Sequence, residues 1–551
     1  MNPTSGSSPS QPVMARSIYQ RSWTLRFCRW LFTRRVLGRL LCVALTLATL
    51  VVLFYVEEKV RGRWAWNRYR QTLEKQGLSV DIKTVMPPAL APEVNFARSP
   101  ALKSVYDNVS QQKRPLDREY EKFQARLDEP QKLAATLGYA YAPGMSGSWR
   151  KSAWPDPYKM LGEPKKGAKV EPPSSPEKAA ELVLDIYRRT TGPLLDELQV
   201  EAQKRRHSNF DINYDTDEPF SLLLPYLAHT KGLGQQSATR AAAELYLKQP
   251  EAAFRDTLFC LYMSETMKDD PIFISFLVFV ALREIGINVA WYGLGTRQWN
   301  ASQLAQLQTR FEAVDVVARA RQALNAERIL GQRGIEGFAR QYPHKVNFST
   351  LGGSLDGEPY SVENILLEKC LSYLYPKGWF YFESINYQRL FVNHLLQSSL
   401  AGQTRLDLKA SDAAAEEMSE ELKGQPIASI FKHRFLSSML LPGLGKVYSR
   451  AANNQMANTM AATACALERF RIDHGQYPPQ LADLTPKYLK QTPMDLLSGE
   501  PLKYKVDSEG AYVMYSVGRN GVDDGGNVVF NTSGGVNQEE GDWVWKFPAG
   551  R

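Results

Sequence analysis

An uninterrupted apolar stretch near the N-terminus constrains this 551-residue chain more than any other feature. Residues 40–56 read LLCVALTLATLVVLFYV and carry no charge, and Thr46 and Thr49 are their only polar side chains. A helix needs about 17–25 such residues to cross about 30 Å of hydrocarbon. The stretch therefore predicts a transmembrane anchor at 40–56. We expect contact with membrane lipid over residues 36–56, because the side chain of Arg39 can reach the headgroups.

The charges on the two sides of this stretch predict its orientation. Seven arginines and no acid precede it, whereas basic and acidic residues are mixed after it. The positive-inside rule then places an Arg-rich tail, 1–39, in the cytoplasm and residues 57–551 on the extracytoplasmic, periplasmic side of the inner membrane. The long basic lead and the lack of a small-residue cleavage site favour an uncleaved signal-anchor over a removed signal peptide.

A second apolar stretch, at 271–294, is interrupted where a membrane span would need to continue. Arg283, Glu284 and Asn288 follow a purely apolar run that is too short to cross a bilayer. This pattern predicts a buried core helix, so the chain is expected to be a single-pass protein.

Charge and motif content exclude several classes of function. Lys and Arg total 67 against 58 Asp and Glu, but the first 70 residues hold twelve of the basic residues and only two of the acids. The remainder is nearly neutral, which argues against nucleic-acid binding. Five cysteines in 551 residues do not make a disulfide scaffold. The sequence has no glycine-rich nucleotide motif and no zinc motif.

The composition and hydrophobic periodicity of successive segments predict a mainly α fold. Residues 57–175 are rich in proline and predict an irregular collar. Residues 176–440 predict an α-helical domain. Its expected helices include a pair joined by Gln249-Pro250 and others at 301–331 and 361–375, with a polar loop or solvated helix at 411–424.

Residues 445–551 differ again and predict a small α+β module. A long helix at 447–472 is followed by two short strands around an Asp-Ser-Glu-Gly turn. Six short stretches resemble, in order and spacing, the C-terminal half of the type II secretion system major pseudopilin family: 467–471, 475–478, 481–489, 493–495, 515–518 and 520–526. The family's N-terminal processing site is absent, so polymerisation as a pilin is not expected. The whole chain also resembles uncharacterised bacterial membrane-anchored envelope proteins that end in such a module and a final Asp-Trp-Val-Trp.

An acidic, glycine-rich loop in this module is a candidate calcium site. Its possible oxygen ligands are the Ser516 hydroxyl, the Val517 carbonyl and the side chains of Asn520, Asp523 and Asp524. The resemblance supports Ca²⁺ as a cofactor, since the family carries a calcium loop here. The alternative is that Asn-Gly and Asp-Asp-Gly-Gly are hairpin turn residues.

These features predict a cell-envelope protein with a non-catalytic, protein-interaction role. The resemblance implies an association with secretion or pilus-type machinery. One alternative is an envelope hydrolase for glycan or peptide whose acid and base are dispersed in the sequence, for example Glu244 with Asp256 or Glu265. Another is a carbohydrate-binding envelope protein, suggested by the many Trp and Tyr residues.

Overall fold

The computed structural model describes residues 23–31, 33–113, 116–141, 144, 147–167, 170–341, 375–396, 405–423, 426–507 and 510–546. Most of them are helical, as predicted. The helices are α1 (Trp23–Leu31), α2 (Arg34–Lys75), α3 (Lys103–Ser110), α4 (Arg118–Leu127), α5 (Glu129–Thr136), α6 (Pro157–Leu161), α7 (Pro176–Arg189), α8 (Gly192–Lys204), α9 (Pro225–Tyr246), α10 (Pro250–Glu265), α11 (Phe273–Gly295), α12 (Ala301–Glu312), α13 (Val316–Gln341), α14 (Trp379–Leu390), α15 (Leu408–Leu422), α16 (Pro426–Phe431), α17 (Phe435–Leu440) and α18 (Val447–His474). A π-helical turn, Phe391–Leu396, extends α14.

The strands lie at the C-terminal end of the chain. They are β1 (Lys503–Val506), β2 (Tyr512–Ser516), β3 (Val528–Phe530), β4 (Val536–Gly541) and β5 (Trp543–Lys546). An antiparallel three-stranded sheet has the order β1-β2-β5, and β3 pairs with β4 in a separate two-stranded sheet. The two strands predicted on either side of the Asp-Ser-Glu-Gly turn are β1 and β2.

Helix α2 contains the apolar stretch and is long enough and apolar enough to cross a membrane. It has 42 residues, and none of its most apolar window, of mean hydropathy 2.4, is buried inside the protein. The helix does not end with the apolar stretch but continues to Lys75. The prediction of an irregular collar from residue 57 onward is therefore wrong for its first part. We call residues 57–75 of α2 the stalk.

The second apolar stretch forms α11, which lies in the protein core as predicted. Its polar interruptions each have a partner from a distant segment. The Nε of Arg283 donates to Asn458 Oδ1 on α18 at 2.9 Å, and its Nη2 donates to the same oxygen. Glu284 accepts from Trp149 Nε1 at 2.8 Å and from Arg150 Nε at 2.7 Å. Helix α11 thus joins the 149–151 turn to the C-terminal region.

Helix α18 is part of the same core rather than the start of a separate body. It packs against α11, α12 and α13, and most of its residues from Val447 to Glu468 are buried. Trp545 on β5 packs against Trp149 with ring centroids 5.1 Å apart and the rings tilted by 38°, which brings the sheet to the same core. One hydrophobic cluster runs from Ile82 to Trp545. The core therefore does not divide at the boundary predicted between 440 and 445.

Several smaller predictions can also be compared with the structure. The helix expected at 301–331 is two helices, α12 and α13, separated by a short turn. The polar stretch 411–424 is mostly helical, in α15. The helix expected at 361–375 lies outside the described residues except for Tyr375.

Replacing Asn458 by Leu should destabilise the protein. Arg283 is fully buried, and burial lowers the pKa of its guanidinium only to about 10, so the group stays charged at neutral pH. Loss of the acceptor removes hydrogen bonds to a buried charge, which costs about 2–3 kcal/mol. Denaturant unfolding of the full-length chain in detergent measures the change. Asn67→Leu, on the exposed surface of the stalk, is the control and should shift the free energy of unfolding by less than about 0.5 kcal/mol. Equal stability of Asn458→Leu and the wild type would contradict the role given to Asn458.

Candidate functional site

The C-terminal loop divides the five predicted calcium ligands into two groups. Ser516 and Val517 form a buried hydrogen-bonded group with Asp495. The Ser516 hydroxyl donates to Asp495 Oδ1 at 2.9 Å, and the Val517 N–H donates to Asp495 Oδ2 at 3.0 Å. Ser516 is fully buried. Its hydroxyl is therefore engaged by Asp495 and is not directed at the acids of the loop.

The other three residues lie together on the exposed loop, where they bond mainly to one another and to the backbone. Asn520 Nδ2 donates to Asp524 Oδ2 at 3.0 Å. Asp523 accepts from the Tyr515 hydroxyl at 3.1 Å and from the N–H of Gly525 at 3.1 Å. The latter bond and the nearby Lys503 ammonium contribute to a pKa of Asp523 below its usual value. The loop oxygens are thus largely satisfied by N–H and O–H donors.

Asp542 is the residue of this site that the sequence did not identify. It is buried between β4 and β5, and its carboxylate accepts the backbone N–H of Gly526 at 2.7 Å and that of Asp524 at 3.4 Å. Burial raises the pKa of Asp542, and the charge of Asp524 adds to this effect. Asp542 therefore closes the base of the loop.

As arranged, this donor set fits calcium poorly. Calcium takes six to eight oxygens, whereas the loop oxygens already accept hydrogen bonds. Among the described residues, no group of three or more His, Cys, Asp or Glu side chains is placed to hold a metal ion. Calcium binding here would compete with the Asn520–Asp524 hydrogen bond for Asp524 Oδ2.

A second site is the junction at which the stalk meets the rest of the protein. Gly62 on the stalk and Gly378, just before α14, are in backbone contact, and a Cβ at either position would overlap the other chain segment. Trp379 Nε1 donates to Glu58 Oε2 at 3.0 Å. The guanidinium of Arg61, which also pairs with Glu58 at 2.7 Å, lies over the ring of Phe382 at 4.6 Å. Two glycines thus permit a close approach that aromatic and charged side chains then hold.

Glu383 on α14 connects this junction to α17. It is fully buried, and its oxygens accept the N–H of Phe435 at 2.9 Å and of Leu436 at 3.1 Å. Burial raises the pKa of Glu383 to about 7 despite these hydrogen bonds. The carboxyl group therefore titrates near neutral pH.

Of the acids proposed for a hydrolase, Glu244 and Asp256 are buried between helices, and Glu265 lies apart from them in an ion pair. Burial raises the pKa of Glu244 to about 9, with a further contribution from the nearby charge of Asp256. Asp256 accepts from Arg240 Nη2 at 2.7 Å and from the Ser237 hydroxyl at 3.1 Å. Glu265 is paired with Arg310. Glu244 and Asp256 are therefore neighbours, whereas Glu265 has a partner of its own.

Comparison with protein-family models, with curated proteins and with solved structures finds no match for this chain.

Stability should depend on the protonation of Glu383. Its pKa is about 7 in the folded protein and near 4.5 in the unfolded chain, so the folded state binds more protons between these values. The free energy of unfolding should therefore fall by about 3 kcal/mol as the pH rises from 4.5 through 7. Glu383→Gln should remove this component. Denaturant unfolding of both chains from pH 4 to 8 measures it, and parallel profiles would contradict the assignment.

We expect calcium binding at the loop to be weak. Because loop hydrogen bonds must be exchanged for metal contacts, we expect a Kd of about 10⁻⁴–10⁻³ M, the range of weak extracellular calcium modules. Millimolar CaCl₂ should then raise the thermal midpoint of the full-length chain more than MgCl₂ does, and Asp524→Asn should abolish the shift. Asp483→Asn, at an exposed site elsewhere in the module, is the control. An unchanged midpoint in calcium would contradict the prediction.

Proposed function

We propose that this chain is a single-pass membrane protein of the bacterial envelope whose N-terminus is cytoplasmic and whose folded body is extracytoplasmic. The observation that carries the proposal is the bare apolar surface of α2. Exposed Leu and Val side chains surround the helix over the stretch 40–56, for example Leu41 at 61% and Val52 at 60% exposure. Exposure of this apolar surface to water would be unfavourable, whereas the hydrocarbon of a bilayer covers it.

The role we propose for the body is to present a surface to other proteins, without catalysis. The junction at Gly62 and Gly378 supports this role, because it fixes the body to the stalk directly outside the apolar stretch. A body held in one orientation at the membrane can offer the same face to every partner. Such a function needs shape and orientation rather than a reactive group.

The partners we propose are components of secretion or pilus-type machinery, and the support is the resemblance of the C-terminal module. Much of α18 is buried, so a partner has to contact the parts of the module that remain at the surface. Val522 and Phe530, on the loop and on β3, are 54% and 52% exposed. A partner that covers these two side chains would remove their apolar surface from water. We therefore assign the partner contact to the loop and the β3–β4 hairpin.

The first stage of the test is membrane insertion. Full-length protein should resist extraction by alkaline carbonate, and an alkaline phosphatase fused after residue 551 should be active because the fusion point lies outside the cytoplasm. The double variant Leu47→Arg/Leu50→Arg should become extractable, since each central arginine costs about 2.5–3.5 kcal/mol on insertion scales. Val60→Arg, on the exposed side of the stalk, is the matched control. Extraction of the wild type would contradict the anchor.

The second stage identifies the partner in living cells. A photo-reactive amino acid at Phe530 should crosslink to secretion or pilus-type subunits, which mass spectrometry would identify. The same amino acid at Val200 on α8, which is 50% exposed, should not. Recovery of glycans alone would favour a carbohydrate-binding protein. Failure to crosslink any such subunit, in cells where the membrane insertion is intact, would contradict the proposed partner.

A further inference from the structure

The end of the body that meets the membrane carries an exposed aromatic side chain. Phe431, at the end of α16, is 64% exposed. Its ring packs edge-on against the inner neighbour Trp379, with centroids 5.8 Å apart. Trp379 in turn is hydrogen-bonded to Glu58, which lies only two residues beyond the apolar stretch. One rise of about 1.5 Å per residue places Glu58 about 3 Å outside the hydrocarbon.

Through these two contacts Phe431 is linked to the part of the stalk that lies in the headgroup region of the proposed bilayer. That region is roughly 5–8 Å deep on each side of the membrane. Aromatic side chains are favoured there, where they bury apolar surface among the headgroups and upper acyl chains. Insertion into this region would remove the exposed apolar surface of Phe431 from water.

Exposed lysines surround the same end of the body. Lys59 on the stalk, Lys377 before α14 and Lys432 after α16 are all exposed; Lys59 and Lys377 are next to junction residues, and Lys432 is next to Phe431. No ion pair joins Lys59 or Lys377 to an acid among the described residues, whereas the neighbouring Glu58 is neutralised by Arg61. Glu57 is also exposed at this end and offsets one of the three lysine charges, so the charge offered to the membrane stays positive.

Lys59 and Lys377 also line a cavity of about 320 Å³ between the stalk, α13 and α14. The aromatic side chains of Trp66, Phe380 and Tyr381 form part of its wall. Two polar side chains, Gln332 and Ser384, are buried within its lining, where Gln332 Nε2 donates a hydrogen bond to the Ser384 hydroxyl oxygen at 3.0 Å. Glu336 is the acid in this lining, and it lies 3.8 Å from Arg333. A negative headgroup matches the cations and polar groups of this lining.

We propose that this end of the body binds anionic phospholipid of the extracytoplasmic leaflet. Phe431 inserts among the headgroups, and Lys59 and Lys377 hold the phosphate of one lipid at the mouth of the cavity. This inference rests on the proposed function, since it requires α2 to span the membrane. It adds a lipid class and a binding site that the anchor alone does not require.

The test uses full-length protein in neutral detergent, titrated with phosphatidylglycerol and followed by native mass spectrometry. Wild-type protein should retain phosphatidylglycerol in preference to phosphatidylcholine. Lys59→Gln/Lys377→Gln should weaken the apparent affinity by about 25-fold, which is about fivefold for each lysine and corresponds to about 1 kcal/mol per charge at a membrane surface. Lys75→Gln is the matched control, because Lys75 is exposed on the same helix about 24 Å farther from the membrane. It should bind lipid as the wild type does.

A second measurement examines Phe431 itself. With Cys28, Cys42 and Cys370 replaced by Ser, an environment-sensitive fluorophore on Phe431→Cys should show blue-shifted emission in lipid nanodiscs. The same label on Gln76→Cys, at the far end of the stalk, should report water. Equal emission at the two positions would overturn insertion of this end.

The remaining outcomes separate this inference from the proposed function. Protein that resists carbonate extraction but binds both lipids equally would overturn the lipid site and leave the anchor intact. Competition by inorganic phosphate at the same concentration as phosphatidylglycerol would assign the cations to a free anion and would also overturn the proposal. Extraction of the wild type by carbonate would overturn both.

Discussion

The buried guanidinium of Arg283 is the interaction on which the arrangement of the body depends. Helix α11 has enough length and hydropathy to cross a membrane, yet it carries a charge at its centre that neither lipid nor an apolar core accepts alone. Asn458 on α18 supplies the main acceptor, and the carbonyl of Arg310 after α11 supplies another at 3.1 Å. The most apolar helix of the body is thereby tied to the C-terminal region at its buried arginine.

The neighbouring polar residues of α11 extend this connection to a third segment. Glu284 and Asn288 lie one helical turn apart, and both bind the 149–151 turn: Asn288 Oδ1 accepts the backbone N–H of Trp149 at 2.9 Å, and Glu284 accepts its indole. Trp149 then packs against Trp545 of the final strand. Segments that the sequence suggested were a collar, a helical domain and a separate module therefore share one core. Their stability is accordingly expected to be coupled.

Local sequence patterns were sufficient for the features that depend on neighbouring residues. The apolar stretch of α2, the bounds of α18 within two residues and the strands β1 and β2 all follow from composition and periodicity. The stalk was missed although Glu58, Gly62 and Trp66 are spaced by four residues, as one helical face requires. A charged residue, a glycine and a tryptophan do not look like a buried stripe until Gly378 and Trp379, more than 300 residues away, are placed against them.

The candidate calcium loop illustrates the same limit. Residues close together in the sequence, such as Ser516 and Asn520, look like one ligand set. In the structure the strand end directs Ser516 toward Asp495 and leaves Asn520 on the surface. Asp542 closes the loop only because β5 pairs with β2 and returns the chain to this position. The partners of a loop are set by sheet topology, which the spacing of residues within the loop does not contain.

The continuity of α2 has a consequence for how the body relates to the membrane. A helix of 42 residues is about 63 Å long, and no break separates its apolar part from the stalk. The contact between Gly62 and Gly378 leaves no room for a side chain, so the stalk cannot shift along α14 without separating the two backbones. A change in the tilt of α2 must therefore be transmitted to the body as a whole. Because α14 also holds α17 through Glu383, the junction joins the apolar helix, the stalk and the interior of the body in one continuous set of contacts.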